Sequence, residues 1–434
     1  MNMNKIFPKE LRAFYLMWLT QAFSALGSAM TGFALVIWSY EQSGQALMTA
    51  LLTVCSYAPY VLMSIFAGAL SDRWDKKRTM LVCDAMAAAC TLMTLLLLKA
   101  GRLMVWHLYV LNALNGLMNT FQQPATEVAV TLLTPRSHDQ KVSGLMAVSN
   151  SVTTLMTPAL ATAILAFAGV EAVIWFDLVT CAVAMGALIF FIRIPKVEKK
   201  ERAESVLRAA GQGVRWLKEN KGIFHMILFF AGINLIASMY NAALPAMLLS
   251  RKGGSTEILG LVNTCTGVAM VVGSLIASSM PAPKKRALVI LNCLLFSMST
   301  ENLLLALGRS GWVWCIAAVL GWLAIPVMNV NLTALFRSYI PVEMQGRVYS
   351  ARNTLQFFTI PLGYLVGGAM VDRVCEPLMA SLSEGHFLIR LLGDGKGSGA
   401  ALLYLILAGL GVGVCLLFRW NRHIRALDEP RGEA

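Results

Sequence analysis

Long apolar segments, separated by short polar ones, are the feature that most limits how this chain can fold. Each segment has roughly 20 or more residues, enough to cross a hydrocarbon layer about 30 Å thick at about 1.5 Å per residue. Hydrophobic residues make up 57% of the 434 residues and charged residues only 14%, against about 25% charged in ordinary soluble domains. Because a soluble core cannot use this much apolar sequence, we predict membrane-spanning helices.

Twelve spans are predicted, which makes the protein an all-α membrane protein with both termini on one side. The predicted spans are 13–39, 46–70, 79–99, 105–130, 142–168, 172–194, 223–249, 256–280, 287–307, 311–335, 346–372 and 399–419.

Basic residues are distributed unequally between the loops. When alternate loops are assigned to opposite sides, 28 of the 36 lysines and arginines fall on the side of the termini. Cytoplasmic loops of membrane proteins are rich in Lys and Arg, so we expect a multi-pass protein of the cell (plasma) membrane with both termini cytoplasmic. The net charge of +13 belongs to these loops. We expect no nucleic acid partner, because a nucleic-acid-binding domain concentrates its basic residues on one folded face.

Tryptophans lie at the outer ends of several predicted spans. They are Trp38, Trp106, Trp175, Trp312 and Trp314. Because tryptophan is enriched at the headgroup level of membranes, we predict that these side chains are interfacial anchors.

The two halves of the chain carry matching residues at nearly constant offset. The pairs, 203 or 205 positions apart, are Asn150 with Asn353, Pro158 with Pro361, Gly116 with Gly321 and Gly68 with Gly273. Such repeats are typical of transporters built from two related bundles. We predict six-helix halves at 1–194 and 223–434, joined by a cytoplasmic linker at 195–222 that contains an interfacial helix.

A charged motif follows the second predicted span and reads Gly68-Ala-Leu-Ser-Asp72-Arg73-Trp-Asp75-Lys76-Lys77-Arg78. It resembles the loop motif of the major facilitator superfamily, G-x-L-a-D-R-x-G-R-K, with Asp75 at the second glycine position. Further segments resemble the branch that contains macrolide-efflux proteins and the enterobactin exporter. They are Phe121-Gln-Gln-Pro124-Ala125, Trp175-Phe-Asp177-Leu, Gly346-Arg347-Val-Tyr-Ser350 and Pro361-Leu-Gly363. The resemblance implies the major facilitator fold, two pseudo-symmetric six-helix bundles.

The motif contains a candidate conformational latch. Asp72 lies at a predicted helix end, where a carboxylate is stabilised by a neighbouring helix N-terminus or by arginines. Arg73 is its neighbour in the motif, and the family resemblance implies that Glu127 and Arg347 belong to the same latch. The alternative is that the basic residues only determine topology.

Uncharged polar residues mark predicted spans one, four, seven and ten, which line the central cavity in the superfamily. Span four presents Asn112, Asn115, Asn119 and Gln122 at steps of three and four, on one helical face. The candidate cavity residues on the other spans are Gln21, Asn234, Asn241 and Asn329. These groups suit a water-filled pathway, and the alternative is that they join helix to helix.

Carboxylates are scarce on these central spans. Glu127 lies towards the cytoplasmic end of span four, so a cation near the midplane would leave its charge unpaired. We therefore expect a neutral or amphipathic substrate. For Asp84 and Asp177, on spans that are peripheral in the superfamily, we expect structural pairing, and Glu301 has no predicted partner. Any ionisable residue at this depth is also a functional candidate.

Energy coupling is inferred by elimination. No phosphate-binding loop is present, and Glu127 is the one carboxylate on a central span, so we expect a proton as the coupling ion with Glu127 as its candidate carrier. Drug/proton antiporters of the superfamily carry arginine at the position of Asn112 and Gly-Pro at Thr157-Pro158, and these departures weaken an inference of standard proton antiport.

We expect a secondary transporter that exports a hydrophobic or amphipathic small molecule, such as a drug, a macrolide-like or a siderophore-like compound, by alternating access. The alternatives are a dedicated exporter of one endogenous metabolite and a receptor without transport. An enzyme is not expected, because the five histidines are scattered without catalytic spacing. The nine cysteines form no CxxC pair and have no His cluster nearby, so no metal site is expected. No cofactor is expected either. The expected partners are the substrate, the lipid bilayer and a proton, and we expect a monomer.

Overall fold

The structure, a computed structural model, describes residues 11–135, 139–195, 206–383 and 385–429. The side chains of 64–73, 139–141, 143–144, 147–148, 206–210, 342–347 and 349–350 lie outside this description. The longer helices are α1 (Arg12–Ser43), α2 (Ala46–Arg73), α3 (Lys76–Lys99), α4 (Val105–Leu133), α5 (Asp139–Phe190), α6 (Val206–Glu219), α7 (Lys221–Ser250), α8 (Thr256–Ser279) and α9 (Arg286–Leu307). They are followed by α10 (Gly311–Leu323), α11 (Ile325–Tyr339), α12 (Val342–Phe357), α13 (Thr359–Met370), α14 (Glu376–Ser381), α15 (Phe387–Leu392), α16 (Ser398–Arg419) and α17 (Arg422–Arg425).

The predicted spans correspond to these helices. In the described part of the chain, 10 segments are long and apolar enough to cross a membrane. One of them, Ser149–Phe190, covers most of predicted spans five and six, and α4 covers predicted span four although it is not among the 10. No strand occurs in the described ranges. The prediction of an all-α membrane protein with twelve spans is confirmed.

A single glycine divides α5. Gly169 has φ 74° and ψ −178°, which breaks the 52-residue helix into two segments. A positive φ is costly for residues with a Cβ atom but not for glycine. The break falls between predicted spans five and six.

The chain divides into two compact units. Unit one comprises Met1–Gln42 with Cys55–Ala203, and unit two comprises Ser43–Val54 with Glu204–Ala434. The first turns of α2 therefore group with unit two. Within unit two, α6, from the predicted linker, packs against α12. The division into 1–194, 195–222 and 223–434 stays a prediction.

Two glycines of the predicted repeat lie at close helix contacts. A Cβ atom at Gly116 of α4 would collide with the carbonyl oxygen of Ser56 on α2. One at Gly273 of α8 would collide with the carbonyl oxygen of Leu323, the last residue of α10. Small residues allow helix backbones to approach closely in membranes, so these glycines fix the packing of α4 on α2 and of α8 on α10.

Carboxylates cap three helix N-termini. Asp75 accepts the backbone N–H of Arg78 at 2.9 Å at the start of α3. Asp428 accepts the N–H groups of Ala287 and Leu288 at 2.8 and 2.9 Å at the start of α9. The third is Asp372, in the π-helical turn Val371–Cys375, which caps α2. A carboxylate here satisfies amides that lack a partner within the helix and complements the helix dipole.

Candidate functional site

Unit one contains a cavity of about 1070 Å³ that is bounded by residues from α1 to α5. Its wall mixes apolar side chains such as Leu35, Leu108 and Val130 with amides, hydroxyls and carboxylates. Six residues predicted from the sequence line it: Gln21, Asn112, Asn115, Asn119, Gln122 and Glu127. The structure therefore brings these residues to one cavity, and their role in binding stays a prediction.

Asp84 of α3 is a buried carboxylate on the cavity wall. Its Oδ2 accepts a hydrogen bond from Gln21 Nε2 at 3.1 Å, and its Oδ1 accepts one from Gln122 Nε2 at 2.5 Å. The residue is 5% exposed. Two side chains that the sequence predicted for the cavity, on α1 and α4, thus bind a carboxylate on α3.

Asp177 in the second segment of α5 also lines the cavity. It accepts hydrogen bonds from Ser28 Oγ at 2.8 Å and from Thr91 Oγ1 at 3.3 Å, and it is 3% exposed. Gly27 permits this contact, because a Cβ atom there would lie 2.9 Å from the Asp177 Cα. The family resemblance implies that the spans of Asp84 and Asp177 are peripheral, but both carboxylates are in the cavity wall.

The remaining residues of the span-four stripe differ in their bonding. Asn112 Nδ2 donates to the carbonyl oxygen of Leu108 in its own helix at 2.9 Å. Asn115 Oδ1 is buried, and no hydrogen-bond partner for it occurs among the described residues. Asn119 is exposed. The stripe predicted from helical periodicity therefore faces the cavity.

The predicted residues of unit two lie on α7 and α11. Asn234 Nδ2 donates to the carbonyl oxygen of Gln356 at 3.4 Å, and Asn241 Nδ2 donates to that of Ala237 at 2.8 Å. Asn329 is exposed. Their place in a substrate pathway stays a prediction.

A second buried carboxylate cluster in unit two has partners that the sequence did not predict. Glu301 Oε1 on α9 accepts a hydrogen bond from Tyr240 OH at 2.6 Å and one from Trp322 Nε1 at 3.0 Å. The repeat glycine Gly321 makes room for it, since a Cβ atom there would collide with the Glu301 carboxylate. The donors are aromatic residues of α7 and α10. Their spacing along these helices does not indicate that they contact a carboxylate on α9.

The predicted latch is only partly within the described structure. The side chains of Asp72, Arg73 and Arg347 lie outside the described residues. Glu127 is exposed, and its Oε1 accepts from Gln123 Nε2 at 3.4 Å. The latch therefore stays a prediction.

A lysine of the same motif contributes to folding. Lys77 Nζ donates to the carbonyl oxygens of Ile189 and Ile192, at 3.1 and 2.8 Å. A cation is favourable at the C-terminal end of a helix, here the end of α5, so Lys77 has a structural role besides any effect on topology.

The chain is similar to known efflux proteins and transporters. Macrolide efflux protein A of Streptococcus pyogenes is 25% identical over 366 residues, which cover 83% of this chain and 90% of that protein. Macrolide efflux protein A of Enterococcus faecalis is 24% identical over 321 residues, which cover 73% of this chain and 98% of that protein. The crystal structure of a mutant of the nucleoside transporter NupG superposes with a TM-score of 0.70 at 12% identity, covering 93% of this chain and 99% of that one.

The sequence profile of the Major Facilitator Superfamily matches residues 17–364, which is most of the chain. The helical architecture and the likeness to solved transporters agree with that match. The family resemblance predicted from the charged motif is therefore confirmed, and this chain belongs to the major facilitator superfamily of membrane transporters.

Proposed function

We propose that the protein exports hydrophobic or amphipathic small molecules, macrolide-like compounds among them, by alternating access. The observation that carries this proposal is the cavity of about 1070 Å³ in unit one. Sites for drug-sized ligands measure about 300–1,000 Å³, and this cavity is slightly larger. Amides, hydroxyls and carboxylates outnumber apolar side chains among its lining residues, so the cavity suits an amphipathic ligand better than a wholly apolar one. The similarity to macrolide efflux proteins supports the same substrate class.

Export in this proposal is driven by a proton gradient, with Glu127 as the candidate carrier. Glu127 is an exposed carboxylate on the cavity wall, where it can exchange a proton with water. The transporter acts as a monomer, and both termini are cytoplasmic because the terminal side holds most of the basic residues.

Counterflow in proteoliposomes tests the transport function. Purified protein is reconstituted with unlabelled erythromycin inside, and labelled erythromycin is added outside. We expect transient accumulation of label, competed by several unrelated amphiphiles. Competition by a siderophore alone would instead favour a dedicated metabolite exporter. Binding without exchange of any compound would favour a receptor and overturn the proposal.

Thiol labelling tests the orientation. On a cysteine-free background, Ser383→Cys should react in intact cells with an impermeant thiol reagent, whereas Ala282→Cys, in the loop between α8 and α9, should react only after permeabilisation. Ala282 and Ser383 are exposed and lie outside the predicted spans, so a missing signal reports the membrane and not burial. The reversed pattern would overturn the orientation.

A further inference from the structure

The cavity in unit one has an unbalanced charge. Three carboxylates line it, those of Asp84, Asp177 and Glu127, and none of its described lining residues is Lys, Arg or His. Buried charge in a membrane protein is costly unless it is paired. A site with acidic groups and no basic ones is therefore suited to a ligand that brings positive charge.

The hydrogen bonds of the two aspartates come from neutral groups and supply no counter-charge. Asp84 accepts from the neutral amides of Gln21 and Gln122, and Asp177 accepts from hydroxyl groups. Neutral donors orient a carboxylate, but they occupy only some of its roughly four lone-pair positions and supply no counter-charge. Asn115 Oδ1, which has no hydrogen-bond partner among the residues that the structure describes, adds another acceptor to the same wall. The missing groups are thus a donor and a positive charge.

A metal ion does not fit this arrangement. The described residues contain no group of three or more His, Cys, Asp or Glu side chains that could hold one. Carboxylates whose oxygens already accept amide or hydroxyl hydrogen bonds also offer few free ligands for a hard cation, which prefers six or more oxygen atoms. An organic cation requires only one or two acceptors and also uses the apolar wall.

We infer that this cavity selects cationic amphiphiles, and that a protonated secondary or tertiary amine of the substrate binds the Asp84 carboxylate with Asp177 as a second acceptor. The inference rests on the proposed export function and narrows its substrate class. It also departs from the neutral substrate expected from the sequence, because the carboxylates come from α3 and α5 and not from the predicted central spans.

A matched pair of macrolides tests the charge requirement. Erythromycin carries a tertiary amine that is protonated at neutral pH, and its N-demethylated, N-acetylated derivative is neutral. We expect the parent protein to bind erythromycin at least about tenfold more tightly than the neutral derivative, measured by equilibrium dialysis. Asp84→Asn should raise the Kd for erythromycin by about tenfold or more and that for the neutral derivative by less than about threefold.

The control removes an equivalent charge elsewhere. Asp394 is exposed and accepts both its hydrogen bonds from Lys252 Nζ at 3.0 Å, which lowers the pKa of Asp394, so it is ionised at neutral pH. Asp394→Asn should leave both affinities unchanged. A similar loss in this variant would make the effect one of overall charge and overturn the inference.

Further outcomes separate the inference from the proposed function. The inference is overturned if the parent protein binds the two macrolides with equal affinity or binds neither of them. Counterflow of the neutral derivative would then show that the proposed export function holds although the inference about cationic substrates is wrong. If Asp84→Asn binds erythromycin as the parent does but has lost uphill transport, Asp84 acts on the coupling ion and not on the substrate. This result also overturns the inference. If Asp84→Asn does not fold, two other measurements test the inference. They are the preference of the parent protein for erythromycin over the neutral derivative, and the Kd of Asp177→Asn for both compounds.

Discussion

The carboxylate of Asp372 accepts the backbone N–H of Leu47 at 2.7 Å, and its second oxygen accepts that of Ala46 at 3.0 Å. The approach is close, because a Cβ atom at Gly368 would lie 2.7 Å from the Leu47 Cα. The π-helical turn that presents Asp372 belongs to unit two, as does the start of α2. The first turn of α2 is thus held by a residue far away in sequence.

Removing this cap should destabilise the protein. Asp372→Ala leaves two backbone amides without their acceptor, and we expect the free energy of unfolding to fall by about 1 kcal/mol. Asp372→Asn retains an acceptor and should lose less. Thermal unfolding in detergent measures both, with Asp394→Ala as the control. A melting temperature of Asp372→Ala equal to that of the parent would show that water replaces the cap.

A second prediction concerns the break in α5. Gly169→Ala forces a Cβ atom into a backbone with φ 74°, and we expect a loss of about 1–2 kcal/mol. The matched control is Gly186→Ala in the same helix. Its backbone has no positive φ, and an added Cβ atom meets nothing within 4 Å. If both variants melt alike, the strain at Gly169 is relieved by local rearrangement.

Arg251 supports a third prediction. This buried side chain follows α7 and donates to the carbonyl oxygens of Leu305, Ala306 and Leu392, near the C-terminal ends of α9 and α15. Arg251→Leu leaves these three carbonyl oxygens without a donor, and each unsatisfied oxygen lowers the free energy of unfolding by about 1–3 kcal/mol. We therefore expect little folded protein in size-exclusion chromatography. Arg251→Lys keeps the positive charge but lacks the planar guanidinium with its several N–H donors. Its melting temperature should lie between those of the parent protein and Arg251→Leu. Normal yield and stability of Arg251→Leu would contradict this role.

Glu127 provides the test of coupling. If it gains and loses a proton in each cycle, Glu127→Gln should abolish uphill efflux and retain downhill exchange, because exchange requires no net proton movement. A residue that only belongs to the latch would impair both modes when replaced. Efflux by Glu127→Gln under an imposed proton gradient, at the rate of the parent, would exclude Glu127 as the carrier.

Helical periodicity predicted the direction of side chains within one helix but not their partners on another. The spacing of Asn112, Asn115, Asn119 and Gln122 identified the face of α4 that lines the cavity. The hydrogen bond from Gln122 to Asp84 was not predictable, because it depends on which face α3 turns towards α4. In addition, the span that contains Asp84 was expected to be peripheral. The overall fold could be predicted because it depends on properties of whole segments. These are the length of each apolar segment and the distribution of basic residues between the loops.

The tryptophans show the same limit. Trp312 is 78% exposed, as expected of an interfacial anchor, but Trp314 is fully buried and donates to the carbonyl oxygen of Gly308 at 3.2 Å. The anchor prediction for Trp314 is wrong. Two residues at about 100° each place these side chains on opposite faces of α10, and a rule based on depth in the membrane does not distinguish the faces.

The distant cap of α2 also has a consequence for biosynthesis. Asp372 is 325 residues beyond Leu47, and at about 5–20 residues per second the ribosome supplies it on the order of tens of seconds later. A nascent chain therefore holds the start of α2 without its acceptor while most of the protein is being made. A shorter delay, over 140 residues, separates Leu288 at the start of α9 from Asp428. Translation that stops before Asp372 therefore leaves the first turn of α2 with two backbone amides that lack this acceptor.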